Sequence, residues 1–193
     1  MIPDPSNPSN MINVNFFDRG INQVHRGFEL ELWYRLSQAV RLNGYISGGS
    51  YELQGTINRD TFDDDTNQLI ASSSSNVDGV KVVSVPQFTT GLGVRAQVID
   101  GLSVDGNINY MAGNYLDEID FDTDLQTTNV GTVQPFSLTD VGLTYDFDLS
   151  GQSLTFRANV FNLFDEVRLQ RTDAFGYIFT NGRTFNASLR YNF

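Results

Sequence analysis

Cysteine is absent from the 193 residues, which excludes a disulfide scaffold, thiol chemistry and a cysteine-ligated zinc or iron–sulfur site. The redox compartment stays open, because an oxidising space does not oblige a chain to carry cysteines. Positive charge is scarce: 12 Lys+Arg stand against 23 Asp+Glu, a formal net charge of −11. A nucleic-acid partner, which would need a basic face toward phosphates, is thereby excluded. His25 is the sole histidine, and there is no Gly-x-Ser-x-Gly elbow, so no nucleophile–base pair can be assembled. Carboxylates cluster only where loops are expected, with no apolar pocket to split their pKa values. No catalytic residue, resident cofactor or metal is therefore expected, and an enzyme is not.

Long hydrophobic runs are missing too. No stretch of ~18 apolar residues exists to form a membrane helix, and the mean hydropathy of −0.24 is that of a soluble domain. The first ten residues, MIPDPSNPSN, lack the basic and apolar regions of an export signal. They are expected to form a loop or ragged terminus. On that reading the chain is either cytoplasmic or lacks its own beginning.

What is present is alternation with period two, the mark of half-buried strands. Phe185, Ala187, Leu189, Tyr191 and Phe193 fall on one face, with Thr184, Asn186, Ser188, Arg190 and Asn192 on the other. Leu154–Val160, Leu102–Tyr110, Phe28–Leu36 and Val141–Phe147 repeat the pattern, as do Val40–Gly48 and Phe88–Val98. Seven strands and no helix are expected. Phe136 and Leu138 have the wrong parity for the strand that follows them, so a bulge is expected there.

The connections alternate as well. Ser37–Ala39, Ile99–Gly101 and Asp148–Ser153 are short, while the links at 54–85, 117–135 and 165–182 are long. A transmembrane β-barrel, with short turns at one rim and long loops at the other, accounts for that regularity. A soluble sandwich gives no reason for it, although both architectures produce alternating faces. Three details favour lipid on the apolar face. Tyr34, Tyr110, Tyr145, Tyr191 and Phe193 cluster at strand ends, where interfacial girdles sit. The polar face repeatedly carries charge (Glu29, Glu31, Arg35, Arg41, Arg95, Asp105, Arg157, Arg190), as a wet lumen permits. The last strand ends on an aromatic residue. The fold expected is all-β: an antiparallel up-and-down transmembrane β-barrel, incomplete at about seven strands, since single-chain bacterial barrels close with an even number. The piece Asn13–Phe17 is too short to supply an eighth across ~25 Å of apolar band.

Asn162-Leu163-Phe164-Asp165-Glu166, then Phe175-Gly176-Tyr177, then Gly182-Arg183-Thr184-Phe185 through Phe193 resemble the C-terminus of TonB-dependent outer-membrane receptors. Arg26-Gly27-Phe28-Glu29-Leu30-Glu31 is similar to a further strand of that family. The resemblance runs from about residue 11 to 193 and implies a chain, 1–193, that is the C-terminal part of such a barrel, with the plug domain absent. It implies residence in the bacterial outer membrane, the signal peptide being missing from this chain. The implied activity is TonB-driven uptake of a scarce nutrient: a siderophore or other iron chelate, cobalamin or an oligosaccharide. The implied partners are the remaining strands and plug of the same receptor, TonB through that missing plug, the barrel-assembly machinery, outer-membrane lipid and a small-molecule nutrient. Phe185, Leu189, Tyr191 and Phe193 would be the signal that the assembly machinery reads. Asn162, Leu163, Phe164, Asp165, Gly182 and Arg183 would be the family motif, read here as a packing element. Two rivals are a small complete outer-membrane barrel, acting as pore or adhesin, and a secreted β-sandwich binding protein.

Charge is concentrated. The links at 54–85 and 117–135 hold ten acids against Arg59 and Lys81, so −8 of the −11 lies there. Asp60, Asp63–Asp65, Asp117, Glu118, Asp120, Asp122 and Asp124 offer the clustered oxygens that calcium takes, but their spacing fails an EF-hand. They are expected to be solvated loop charge. His25 is read as a rim residue rather than a haem or metal ligand, and Trp33 as pointing inward.

Overall fold

A computed structural model describes residues 1–83, 85–116, 131–173 and 176–192. Phe193, Phe175 and the acids from Asp117 to Asp124 lie outside them. Every regular element described is a strand: β1 (Ile2–Asp4), β2 (Asn7–Ile12), β3 (Val14–Arg19), β4 (Asn22–Arg35), β5 (Val40–Gln54), β6 (Thr56–Asp63) and β7 (Leu69–Asn76) in the first part of the chain. β8 (Phe88–Ile99), β9 (Leu102–Ala112), β10 (Phe136–Leu149), β11 (Gln152–Phe161), β12 (Leu169–Asp173), β13 (Gly176–Phe179) and β14 (Thr184–Asn192) follow.

Seven of them form one antiparallel sheet in the order β14-β11-β10-β9-β8-β5-β4. It is a meander in which each strand neighbours its predecessor in the wall, and β4 and β14 are not paired with each other, so the barrel is not closed. These are the seven strands expected from the alternation. The turns joining them at one rim are short: β10 and β11 meet through Ser150 and Gly151, both at positive φ, the geometry a two-residue hairpin needs to follow strand twist.

Register aligns the faces. Tyr34 pairs with Leu42, Leu42 with Val94, and Ala96 with Val104. Val104 pairs with Leu143, Leu143 with Ala158, and Ala158 with Ala187. One apolar face thus runs unbroken through all seven strands. It is uncovered: Leu32 is 64% exposed, Leu92 60% and Leu189 62%. That is the arrangement expected of a wall solvated by lipid, and no second sheet covers it among the described residues.

The links hold more structure than expected. Residues 1–10, expected as a loop, enter a hairpin in which Ile2 pairs with Ile12 and Pro3 with Met11. The link at 54–85 contains β6 and β7, which join β3 in a separate three-stranded sheet. β3 is the short piece noted above, and Gly20 at φ 83° turns the chain from it into β4. The buried residues Ile57 and Val77, packed by Leu53 and Val80, form a small core at this end. The link at 165–182 contains the β12–β13 hairpin.

The expected bulge before Val141 is a correction. β10 pairs with β9 without interruption from Phe136↔Met111 to Tyr145↔Leu102. Phe136 and Leu138 instead occupy the inner, polar face, where Phe136 is buried at the loop end. Parity was misread because loop-end residues cover that stretch and remove its need to be polar. The irregularity in the wall lies near a short turn, between Gln97 and Ile99.

Candidate functional site

The inner face carries the polar chemistry, and its side chains lie along the wall. Tyr45 lies across β8 and donates its hydroxyl to Asn109 Oδ1 on β9 (3.2 Å). Gly91 makes this possible, since a Cβ there would collide with the Tyr45 ring. Two strands on, Arg157 forks onto Asp105, with Nη2 donating to Oδ2 at 2.9 Å and Nη1 to Oδ1. Its Nη1 also donates to Thr144 Oγ1 (2.8 Å). The pair spans β10 at Gly142, where a Cβ would collide with the guanidinium and stand 2.8 Å from Asp105 Oδ2. A bidentate guanidinium–carboxylate pair is among the stronger polar contacts available to a protein.

Asn162 to Arg183 form a hydrogen-bonded clasp at the loop end of β10, β11 and β14. Asn162 is buried, and its carboxamide is fully used. Nδ2 donates to the carbonyls of Glu166 (3.0 Å) and Asn181 (2.8 Å), and Oδ1 accepts from the Glu166 N–H (2.9 Å). The Asn162 N–H donates to Asp140 Oδ1 (2.8 Å), and the Leu163 N–H to the Thr139 carbonyl (2.7 Å), tying the turn to β10. Asp165 Oδ1 accepts from the Arg183 N–H (2.7 Å), while Arg183 Nη1 reaches the Leu163 carbonyl (3.3 Å). Asn162 and Asp165 sit at φ 52° and 58°, a region that Asn and Asp enter more readily than other side chains. A Cβ at Gly182 would stand 3.1 Å from Asp165 Oδ1, tight against that carboxylate. Phe164 points away, 68% exposed. Sequence reasoning missed Asp140 and Thr180, whose hydroxyl donates to the Glu166 carbonyl (2.9 Å). Neither belongs to a contiguous motif.

Phe185, Leu189 and Tyr191 share the outer face of β14, whose one strand partner among the described residues is β11; Phe193 lies outside the described residues.

The three-stranded sheet is built differently. Arg59 is buried, forks onto Asp18 (2.7 and 2.8 Å) and stacks 4.7 Å from the Phe16 ring centroid. The Asp18 hydrogen bonds raise the Arg59 pKa against the opposing effect of burial. Asp63 heads the β6–β7 turn, accepting from the Thr66 N–H (2.7 Å), the Thr66 hydroxyl (2.8 Å) and the Asp65 N–H (3.0 Å). The Thr66 amide, then its hydroxyl, hold the Asp63 carboxyl below its ordinary 3.8. Lys81 pairs with Glu52 and donates to Ser50 Oγ (2.7 Å). His25 packs against Tyr51 at 4.9 Å and meets Gln23 at 3.3 Å.

The sequence profile described as TonB dependent receptor-like, beta-barrel, matches residues 2–163. The matched range takes in six of the seven wall strands and the sheets β1–β2 and β3–β6–β7; β14 and the motif residues after Leu163 fall outside it. No curated protein matches. The fold is similar to that of BauA, the ferric preacinetobactin receptor of Acinetobacter baumannii, with a TM-score of 0.50 at 20% identity over 88% of this chain and 29% of that one. Fiu, the ferric-catecholate import receptor of E. coli K12, aligns with a TM-score of 0.48 at 17% identity over 86% of this chain and 27% of its own. The chain spans less than a third of either receptor.

Proposed function

Because the chain belongs to the TonB-dependent receptor β-barrel family, we propose that its seven-stranded sheet is the C-terminal part of the barrel wall of an outer-membrane nutrient receptor. The cargo is a scarce nutrient: an iron chelate, cobalamin or an oligosaccharide. The role is transport, not catalysis. The short turns face the periplasm, and the long links, with the acids of 54–85, face outward and help form the ligand vestibule. The polar inner face meets a plug supplied by the rest of the receptor, through which TonB delivers energy. Phe185, Leu189, Tyr191 and Phe193 present the terminal strand to the assembly machinery. Asn162–Asp165, Gly182 and Arg183 clasp the last outer link so that β14 leaves the loop end in register with β11.

The observation that carries this reading is the apolar face, continuous in register across seven strands and uncovered. A face of that extent on a water-soluble protein would drive association. The test is cell fractionation followed by detergent extraction. The chain, in its receptor, is expected in the outer-membrane fraction and to migrate differently on gels before and after heating. A monodisperse species that stays in solution without detergent would overturn the assignment.

A further inference from the structure

The two faces of the three-stranded sheet at the loop end differ. On one, Ile57, Arg59 and Thr61 of β6 are buried. On the other, register lines up six side chains in two rows. Arg19 pairs with Asn58 and Asn58 with Ser74; two residues along, Phe17 pairs with Asp60 and Asp60 with Ser72. Strands ~4.8 Å apart and a two-residue step of ~6.8 Å give this grid a footprint of about 10 by 7 Å, the size of one or two sugar rings. Arg19, Asn58, Asp60 and Ser72–Ser74 line a cavity of about 620 Å³ over it, within the ~300–1,000 Å³ usual for small-molecule sites. The serine run of β7 keeps that space open, since longer side chains there would fill it.

The lining is neutral as a whole. Arg19 Nη2 donates to Asp60 Oδ2, and Ser72 Oγ donates to Asp60 Oδ1 (2.6 Å). Asp60 is thereby fixed and largely covered, while Arg19 keeps more than half of its side chain exposed and most of its N–H groups for a ligand. Asn58 and Ser74 are exposed and make no side-chain hydrogen bond among the described residues. The Phe17 ring is exposed beside them, with the Arg19 guanidinium 5.8 Å from its centroid. Vicinal hydroxyls each donate and accept, which matches a carboxamide, a hydroxyl and a guanidinium fork set side by side. An anionic ligand is disfavoured. The link at 54–85 carries five acids against Arg59 and Lys81, and Arg19, Arg59 and Lys81 each already meet a carboxylate.

Resting on the receptor reading above, we propose that this face of the small sheet is a binding site for a neutral saccharide. Arg19, Asn58 and Ser74 hold ring hydroxyls, Asp60 fixes Arg19, and Phe17 takes the apolar face of the ring. The same chemistry serves a free oligosaccharide or the glycan of a surface polysaccharide.

The test uses the complete receptor, purified from outer membranes in detergent. Its binding is measured to short neutral hexose, pentose and N-acetylhexosamine oligomers, to uronic-acid oligomers of the same lengths, and to lipid-free polysaccharide from the surface of the producing cells. Binding of at least one neutral saccharide is expected. Capture of the short oligomers marks soluble cargo, and capture of the polysaccharide alone marks the cell's own coat. Asn58→Ala and Ser74→Leu, both on the exposed face, should each weaken that binding roughly tenfold or more. Heat-dependent gel migration shows that the barrel is folded in each variant, and unchanged protease resistance of 54–85 shows the same for the small sheet. A folded receptor that binds no neutral saccharide, or binds uronic-acid oligomers as well, would overturn the proposal and leave the barrel reading standing. Undiminished binding in both folded variants would do the same. A receptor that never reaches the outer membrane as a heat-modifiable species would overturn the barrel reading itself.

Discussion

The seven-stranded wall and the three-stranded sheet at its loop end are made of the same chain and opposite solvent logic. In the wall the apolar residues are the exposed ones and the ion pair Asp105–Arg157 is on the polar inner side. At the small sheet Ile57 and, just past β7, Val77 are buried in a core as in a water-soluble protein, while Ser72–Ser74 are exposed together with Phe17 and Leu69. Both are antiparallel ladders, so backbone hydrogen bonding does not distinguish them. What differs is which face the surroundings reward. Burial is therefore a poor guide to the extent of the wall: among the described residues the buried hydrophobic side chains are Ile57, Val77, Val133 and Phe136, and of these only Phe136, at the loop end of β10, belongs to a wall strand.

The sharpest way to break this contrast is to put one charge into each region. Phe156 lies midway along β11, between Tyr145 and Leu189 on the outer face. Phe156→Arg is expected to cost ~2–4 kcal/mol, as for arginine near the bilayer midplane. Ser74→Arg, on the exposed face of β7, should change stability by less than ~0.5 kcal/mol. Urea titration in lipid vesicles measures both, and equal effects would remove the distinction between the two regions.

The clasp is where the contrast blurs, because it is a buried polar cluster of the soluble kind attached to the wall. Asn162→Ala leaves the Glu166 N–H and two carbonyls without their side-chain partner, at an expected cost of about 2–3 kcal/mol. Asn162→Asp keeps the acceptor but loses the donors and should fall between. The readout is the denaturant midpoint together with protease cleavage in 166–182. A midpoint unchanged in Asn162→Ala would show the clasp to be decoration.

How much of this was legible beforehand follows from what each feature depends on. Facing in the wall follows from parity, a property of neighbours in sequence, so parity alone puts Arg41, Arg95, Asp105 and Arg157 on the polar face where the register also places them. That Arg157 meets Asp105 while Arg41 faces Arg95 depends on register across strands 50 or more residues apart, which period-two alternation leaves open. The role of Gly142 is invisible for the same reason. The clasp was legible as a motif and as packing, but not as a set of bonds, because Asp140 and Thr180 come from distant positions. Of the small sheet only the piece that becomes β3 is legible in the sequence. Its strand β7 reads Leu-Ile-Ala-Ser-Ser-Ser-Ser-Asn, whose serine run shows no alternation for a pattern to catch.

The gentlest probe of the comparison is pH, acting on the small sheet through Asp63 while leaving the wall unchanged. Its carboxylate closes the β6–β7 turn by accepting from the Thr66 amide, and that bond places its folded pKa below the ordinary 3.8. Stability from a lowered carboxyl is fully present above the unfolded pKa and disappears as pH falls through the folded one. The turn is therefore held at neutral pH and loosens in acid, below about pH 4. Asp78 titrates at the other end of the hairpin, where the Gly55 amide lowers it, so a local probe is needed. The Thr66 and Asp65 amide resonances, followed by NMR from pH 7 to pH 2.5 in micelles, are expected to shift with a midpoint below the ordinary Asp value. Asn accepts the same turn bonds without a titrating proton, so Asp63→Asn should flatten those two titrations and leave the Gly55 amide to follow Asp78. A step that survives in Asp63→Asn would mean that acid acts on the hairpin through another group. A wall resonance such as the Val104 amide moving with the same midpoint would mean that the two regions are one cooperative unit.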